Sequence, residues 1–127
     1  MKAYTDKKQS KKLAEILPIE SADMGCIPSA EDDDGNTLYT AEYKSEVIFD
    51  EDCIPCWSIA ALLDALPASC DNGCHCLSLI NPNPNDKTEW LCAYEDCYGD
   101  LMFECYADNS INACYEMILK LHELKLL

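Results

Sequence analysis

The C-terminal stretch Asn109–Leu127, NSINACYEMILKLHELKLL, decides the fold of this 127-residue chain. Asn109 is suited to cap a helix, because its side-chain oxygen can accept a hydrogen bond from an unpaired N–H of the first turn. Apolar residues then recur at three- and four-residue steps, which is the period of an α-helix. These residues are Ile111, Cys114, Met117, Ile118, Leu121 and Leu124.

Four further residues on the same side of the helical wheel widen this apolar arc: Tyr115, Leu119, His122 and Leu126. The clear polar positions are only Asn112, Glu116, Lys120 and Glu123. A helix with so narrow a polar face is covered by other elements on most of its sides. We therefore expect a buried C-terminal helix with a sheet on one side and another element beside it.

Capping and proline signals predict two more helices. Asp6, with Gln9 three residues later, forms a capping-box pattern that begins the first helix, and Pro18 ends it. Pro55 suits the first turn of the second helix, which ends before Pro67.

Alternating apolar residues mark the strands. The predicted strands are Thr37–Phe49, Cys74–Ile80, Glu89–Glu95 and Leu101–Tyr106. Residues 18–36 are predicted to be irregular, because prolines and glycines interrupt them. Runs of neighbouring strands favour an antiparallel sheet with helices packed on it. We therefore predict a single α+β domain over residues 1–127, in which an antiparallel sheet of three to four strands packs against the buried C-terminal helix, with two further helices.

The charge of the chain restricts its partners. The 24 acids outweigh nine lysines, there is no arginine, and five of the lysines lie in the first twelve residues. Such a surface repels nucleic acids and anionic lipid, and it lacks the bidentate phosphate contacts that arginine makes. We therefore expect no direct binding of nucleic acid or membrane, whereas a basic protein partner is compatible with the charge.

Seven residues are candidates for binding a partner. Trp57 lies off the apolar stripe of the second predicted helix, so it either packs under the preceding loop or forms an exposed anchor. The other six form two acidic runs. The candidates are Asp32, Asp33, Asp34, Asp50, Glu51, Asp52 and Trp57.

The motif Cys53-Ile54-Pro55-Cys56 is the sharpest chemical signal. At the start of a helix such a motif supports thiol redox chemistry, because the helix N-terminus stabilises a thiolate. The acidic residues 50–52 just before it disfavour a thiolate, and the βαβ context of thioredoxin-like enzymes is missing. We therefore favour buried thiols near a turn over a redox centre.

A structural zinc site is the other alternative for the cysteines. The Cys-x-x-Cys half fits zinc, but the second half does not have the usual spacing. The ligands in this alternative are Cys53 and Cys56 with two of Cys70, Cys74, His75 and Cys76.

Other catalytic patterns do not appear in the sequence. His75 and His122 are the only histidines, and the chain has no Ser/His/Asp order, no phosphate-binding glycine loop and no His-Glu metal motif. We therefore expect a non-enzymatic protein without a cofactor. Charged residues near the N-terminus argue against a signal peptide, and no apolar run could span a bilayer. The prediction is a cytoplasmic protein whose cysteines are thiols.

Three stretches carry a resemblance to a known family. They are Tyr4–Met24 (YTDKKQSKKLAEILPIESADM), Ile54–Pro67 (IPCWSIAALLDALP) and Ala107–Leu127 (ADNSINACYEMILKLHELKLL). They resemble a family of small uncharacterised proteins encoded by phages and mobile elements of gut Bacteroides. The resemblance covers about half of the chain and implies a bacterial cytoplasm and a dispensable accessory role. It does not include Cys53.

The leading hypothesis is an acidic interaction protein. Its concrete form is an inhibitor, or DNA mimic, that occupies the basic site of a host or defence nucleic-acid enzyme. The alternative from another class is a thiol redox or structural zinc protein that uses Cys53 and Cys56. A homodimer through the last helix or the Trp57 face is a third hypothesis.

Overall fold

The computed structural model describes residues 2–35, 37–43, 53–81, 83, 85 and 89–127. These residues form two compact units. The N-terminal unit comprises Tyr4–Ala61, and the C-terminal unit comprises Met1–Ala3 and Leu62–Leu127. Each unit combines helix with an antiparallel sheet, so the chain is α+β as predicted. The single domain over residues 1–127 stays a prediction.

Helix α1 (Lys7–Ile16) begins the N-terminal unit as its capping signals predict. The Asp6 carboxylate accepts from the N–H of Gln9 at 2.8 Å, and the Gln9 side chain accepts from the N–H of Asp6 at 3.1 Å. Leu13 is fully buried. The N–H of Leu17 donates to the carbonyl of Leu13 at 2.7 Å, and Pro18 follows directly, which confirms the predicted end of the helix.

Three strands form the sheet described in the N-terminal unit. They are β1 (Met24–Glu31), β2 (Thr37–Tyr43) and β3 (Ile54–Cys56), in the order β2-β1-β3. The prediction of Thr37–Phe49 as a strand is confirmed over β2, and residues 44–49 lie outside the described residues.

The prediction that residues 18–36 are irregular is wrong for strand β1. Its glycine and proline are residues that normally weaken strands, but β1 pairs with a neighbour on each side. The register shifts between Pro28 and Ala30, and such an irregularity accommodates a proline that cannot donate a ladder hydrogen bond. Pairing with the strands on both sides thus overrides the local signal.

Helix α2 (Ile59–Ala65) starts later than predicted, because residues 54–56 belong to strand β3 instead. Ser58 caps the helix, since its Oγ accepts from the N–H of Ala61 at 3.3 Å. Asp23 holds this cap in place. Its carboxylate accepts from the Ser58 N–H at 2.9 Å and from the Ser58 hydroxyl.

Four strands form the sheet described in the C-terminal unit. They are β4 (Ser69–Cys70), β5 (His75–Ile80), β6 (Trp90–Glu95) and β7 (Leu101–Ala107), each antiparallel to the next in that order. Helix α3 (Ser110–Glu123) packs on β6 and β7. This confirms both the three predicted C-terminal strands and the sheet behind the last helix.

The pairing of β6 with β7 contains a bulge. The register shifts between Cys92 and Tyr94, and Phe103 on the opposite strand has a positive φ of 58°. A bulge inserts an extra residue and bends the strand. The ring of Phe103 meets the ring of Tyr94 edge-on, with centroids 6.4 Å apart and planes at 81°. Aromatic pairs favour this geometry, so the contact stabilises the bulge.

Helix α3 begins at the residue that the sequence predicts, but it ends earlier than predicted. Asn109 accepts from the N–H of Asn112 at 2.8 Å, which confirms the predicted cap. Leu124 and Leu126, predicted on the apolar arc, are 49% and 52% exposed, and His122 is exposed as well. The buried residues of the helix are Ile111, Ala113, Cys114, Met117, Ile118 and Leu121.

The helix ends early because the backbone turns at Lys125. This residue has a positive φ of 59°, and its N–H donates to the carbonyl of His122 at 3.1 Å. The N–H of Leu126 donates back to the carbonyl of Leu121 at 2.9 Å. These two bonds are those of a Schellman motif, which directs the following residues away from the helix axis. In the part of the chain that the structure describes, none of the helices has both the length and the apolar character needed to cross a bilayer.

Candidate functional site

The first acidic run lies at the turn between β1 and β2. Asp32, Asp33 and Asp34 are all exposed there. The Asp32 carboxylate accepts from the N–H of Asp34 at 2.9 Å, and the N–H of Gly35 donates to the Asp32 carbonyl at 3.1 Å. Gly35 has a φ of 81°, which suits glycine. We call residues 32–35 the acidic turn; its hydrogen bonds order the backbone that carries three exposed aspartates.

The second acidic run, Asp50, Glu51 and Asp52, lies outside the described residues. The charge of the two units can still be compared from the sequence. The N-terminal unit has 13 acids and five lysines, a net charge of −8, and the C-terminal unit has 11 acids and four lysines, a net charge of −7. Both units therefore carry a similar excess of negative charge.

Trp57 is fully buried, so the exposed-anchor hypothesis is wrong. Its indole Nε1–H donates to the hydroxyl of Ser21 at 3.0 Å. The alternative of packing under the preceding loop involves residues 50–52, which lie outside the described residues. Buried tryptophan needs a partner for its N–H, and here the partner is part of the N-terminal unit.

The backbone of Trp57 belongs to a buried polar network. Its N–H donates to Oγ1 of Thr5 at 3.1 Å, and its carbonyl accepts from the N–H of Thr5 at 2.9 Å. Thr5 Oγ1 lies 2.8 Å from the hydroxyl of Ser10, whose Oγ also lies 3.4 Å from the Thr5 carbonyl. Thr5 and Ser10 are both fully buried. This network fixes the segment before α1 to the segment after β3 within the N-terminal unit.

Cys53 and Cys56 do not have the setting that thiol redox chemistry requires of a Cys-x-x-Cys motif. Cys56 ends strand β3, and α2 begins only at Ile59, so neither sulfur lies at a helix N-terminus. Both residues are buried, with 6% and 0% exposure. The position of the two sulfurs therefore lacks the helix N-terminus that stabilises the thiolate in thioredoxin-like enzymes.

The zinc alternative combines Cys53 and Cys56 with two residues of the C-terminal unit, chosen from Cys70, Cys74, His75 and Cys76. Across residues 2–35, 37–43, 53–81, 83, 85 and 89–127, no group of three or more His, Cys, Asp or Glu side chains is arranged to hold a metal ion. The geometry of the described residues therefore gives the zinc alternative no support.

Cys56 contacts a different cysteine, Cys26 of strand β1. Their Sγ atoms are 2.9 Å apart, within hydrogen-bonding distance, and both side chains are buried. The hydrogen bond with Cys56 lowers the pKa of Cys26, against the opposing effect of burial. The same bond raises the pKa of Cys56, and burial and the nearby Asp23 carboxylate raise it further. The two thiols thus differ, with Cys26 as the one that ionises more readily.

A second pair of buried thiols lies in the C-terminal unit. Cys92 on β6 and Cys114 on α3 are both fully buried. The hydrogen bond with Cys114 raises the pKa of Cys92, and burial raises it further. Because both faces of β6 are buried, these thiols act as small core residues.

His75 lies between two carboxylates at the end of the C-terminal sheet. Its Nδ1 is 3.5 Å from the Asp71 carboxylate, and its Nε2 is 3.9 Å from the Asp96 carboxylate. Nδ1 is buried and has no hydrogen-bond partner among the described residues. No short sequence motif connects Asp96 with His75, because the two residues come together only through the pairing of β5 with β6.

Asp96 also lines a cavity of about 450 Å³ at the surface of the C-terminal unit. The cavity is lined by Cys74, Cys76 and Cys97, three exposed thiols, and by the acidic Glu95. This arrangement gives bulky reagents access to three thiols, in contrast to the buried cysteines of the two cores.

Comparison of the chain with protein-family models, with curated proteins and with solved structures found no match. The resemblance to a Bacteroides phage and mobile-element family therefore stays a prediction.

Proposed function

We propose that this chain is a non-enzymatic interaction protein that uses its acidic surface to bind a basic protein partner. The observation that carries the proposal is the exposed acidic turn, where three consecutive aspartates lie at the end of a β-hairpin. A cellular setting consistent with the resemblance is the cytoplasm of a bacterial, phage-infected host.

The acidic turn has features that favour binding over simple solvation. Hydrogen bonds within the turn fix its backbone. The turn therefore loses less conformational entropy when a partner binds. Both units carry a net negative charge, so long-range attraction steers a basic partner towards the whole molecule. The turn would then contribute local contacts, and the remaining acids would contribute mainly to the association rate.

The partner class that fits this chemistry is a nucleic-acid enzyme with a basic binding site. One DNA strand places a phosphate about every 3.4 Å along the helix axis. Consecutive Cα atoms are about 3.8 Å apart, so three adjacent aspartates carry their charges at a backbone spacing similar to that of phosphates along a strand. In the proposed role, the chain occupies that basic site as an inhibitor. The nucleic-acid substrate of the enzyme would then compete with the chain for the site.

The proposal is tested by affinity capture from a nuclease-treated lysate of its bacterial host, followed by elution with rising salt and mass spectrometry. The captured enzyme is then purified, and its affinity for the chain is measured at several salt concentrations. We expect the affinity to fall steeply with salt and nucleic acid to displace the chain. Affinity that is independent of salt, or simultaneous binding of nucleic acid, contradicts the proposal.

A charge-matched pair of variants separates the acidic turn from net charge. The test variant changes Asp32, Asp33 and Asp34 to Asn, which keeps the side-chain oxygen that accepts from the N–H of residue 34. The control variant carries the same net charge and changes three exposed acids elsewhere, Glu15, Glu20 and Glu123, to Gln.

Exposed ion pairs contribute about 0.2–1 kcal/mol each. Three lost pairs therefore weaken binding between about threefold and about a hundredfold in the test variant. The control variant should change affinity less, through long-range attraction alone. Equal effects of the two variants would show that the turn makes no specific contact. Light scattering on the free protein establishes whether it binds as a monomer or as the predicted homodimer.

A further inference from the structure

Strands β1 and β3 bring two cysteines that are 30 residues apart in sequence into contact. Cys26 pairs with Ile54 and Met24 pairs with Cys56 in the antiparallel ladder, so the two cysteines occupy diagonal positions on neighbouring strands. Residues two apart on a strand share a face, and both cysteines therefore point to the same side of the sheet. Their Sγ atoms are 2.9 Å apart.

We propose that Cys26 and Cys56 are a redox-modification site that forms a reversible disulfide between β1 and β3 when the protein meets a hydroperoxide. A disulfide has an S–S length of about 2.0 Å, so the sulfurs must approach each other by about 0.9 Å. Rotation of the two side chains and a small approach of the three-residue strand β3 supply this movement. The proposal does not depend on the acidic surface.

The two thiols have unequal roles in the reaction. The thiolate is the nucleophile in thiol oxidation, and a thiol with a lowered pKa supplies it more readily. The pKa of Cys26 is lowered by its hydrogen bond with Cys56, which donates its S–H once Cys26 has ionised. The raised pKa of Cys56 keeps its proton in place until the second step.

In the first step the Cys26 thiolate attacks a peroxide oxygen and the O–O bond breaks. Cys26 becomes a sulfenic acid, and the leaving hydroxide or alkoxide takes up a proton to become water or an alcohol. In the second step the sulfur of Cys56 attacks Cys26 Sγ, and the S–O bond breaks. The released hydroxide takes the proton of Cys56 and leaves as water. Two thiols lose two electrons, and one peroxide gains them.

Burial determines which oxidants reach the pair. Cys26 is 5% exposed and Cys56 is fully buried, so a hydroperoxide such as hydrogen peroxide is favoured over a bulky disulfide. The exposed Cys74, Cys76 and Cys97 have the opposite preference, because large reagents reach them directly. A small dithiol reduces the disulfide by exchange when local opening exposes it.

To test the proposal, the wild-type protein is treated with hydrogen peroxide and the excess peroxide is quenched. The protein is then unfolded, its remaining thiols are blocked, and the cross-links are mapped by peptide mass spectrometry. We expect a product that has lost two hydrogen atoms, with a cross-link between the peptides of Cys26 and Cys56 that dithiothreitol removes. Oxidation confined to other cysteines, with Cys26 and Cys56 fully blocked as thiols, overturns the proposal. This mapping needs no variant and is independent of folding effects of substitution.

Three serine variants assign the roles. Cys56→Ser should accumulate a Cys26 sulfenic acid, which dimedone traps when it is present as the protein is unfolded after the peroxide is quenched. Cys26→Ser should give neither the cross-link nor the adduct at this site. Cys53→Ser is the matched control, because Cys53 is also buried in the N-terminal unit. It should form the cross-link at the wild-type rate. A cross-link between Cys53 and Cys56 that persists in Cys26→Ser would instead support the Cys53–Cys56 pair and overturn the proposal.

Discussion

The hydroxyl of Thr5 provides the sharpest test of the packing in the N-terminal unit. Replacing Thr5 with Val keeps the shape of the side chain and removes its oxygen. The N–H of Trp57 then loses its acceptor, and the hydroxyl of Ser10 loses one partner, both in a fully buried region. An unsatisfied buried group costs about 1–3 kcal/mol, and a lost hydrogen bond contributes about 0.5–1.5 kcal/mol. We expect Thr5→Val to lower the free energy of unfolding by about 1.5–4.5 kcal/mol.

The assay is urea unfolding followed by tryptophan fluorescence in a Trp90→Phe background, so that Trp57 alone reports on the N-terminal unit. Thr5→Ser is the matched control, because it keeps the hydroxyl and loses only a methyl group, which costs about 0.8 kcal/mol. Ser10→Ala removes the other hydroxyl. The double variant Thr5→Val, Ser10→Ala should cost less than the sum of the single variants, because both remove the same bond. Equal costs for Thr5→Val and Thr5→Ser, together with additivity, would refute the reasoning.

Three further predictions concern the C-terminal unit. Asn109→Ala should lower the free energy of unfolding by about 1 kcal/mol, because it removes the cap of α3. Leu124→Ala should change the free energy of unfolding by less than about 0.5 kcal/mol, because Leu124 is half-exposed. Lys125→Gly should raise the free energy of unfolding by about 1 kcal/mol, since glycine adopts the left-handed conformation of this position without a Cβ clash. Urea unfolding of each variant checks these two predictions. The pKa of Cys92 is raised in the folded state above the ordinary value of 9.0, so the unfolded chain releases this proton first as pH rises. The contribution of this thiol to the free energy of unfolding should therefore be complete below about pH 9 and should fall above it by up to about 1.4 kcal/mol per pH unit. Urea unfolding midpoints measured between about pH 7 and 10 check this, because the loss of stability with rising pH should be smaller in Cys92→Ala than in the wild type.

Local signals predicted the parts of the fold that depend on a few adjacent residues. The capping box of α1 and the Asn109 cap of α3 each involve residues three apart, so their sequence patterns are sufficient. The alternation in the C-terminal strands was also reliable, since each strand pairs with the next one in the chain. These features depend on short-range geometry, which the sequence displays directly.

The predictions failed where distant pairing decides the structure. Local preference favoured a helix at Pro55 and an irregular segment before Glu31, but pairing between β1 and β3 makes both segments strands. The same pairing determines the candidate redox site. A Cys-x-x-Cys spacing pointed to Cys53, whereas the structure places the sulfur of Cys26 within 2.9 Å of that of Cys56, and no short motif connects these two residues. Likewise, the early end of α3 depends on the left-handed Lys125, a position where the sequence has no glycine to signal a stop.

The bulge at Phe103 has a consequence for how copies of this chain meet at high concentration. Among the described strands, β7 is at one edge of the C-terminal sheet and the two-residue β4 is at the other. A long regular edge would offer consecutive N–H and C=O groups on which a strand from another copy could assemble, the first step towards fibrils. The left-handed Phe103 interrupts that series in the middle of β7, and the exposed Glu104 beside it adds a charge that an incoming acidic strand must approach. The irregularity that places the Phe103 ring against the buried Tyr94 thereby also opposes the addition of further strands to the sheet.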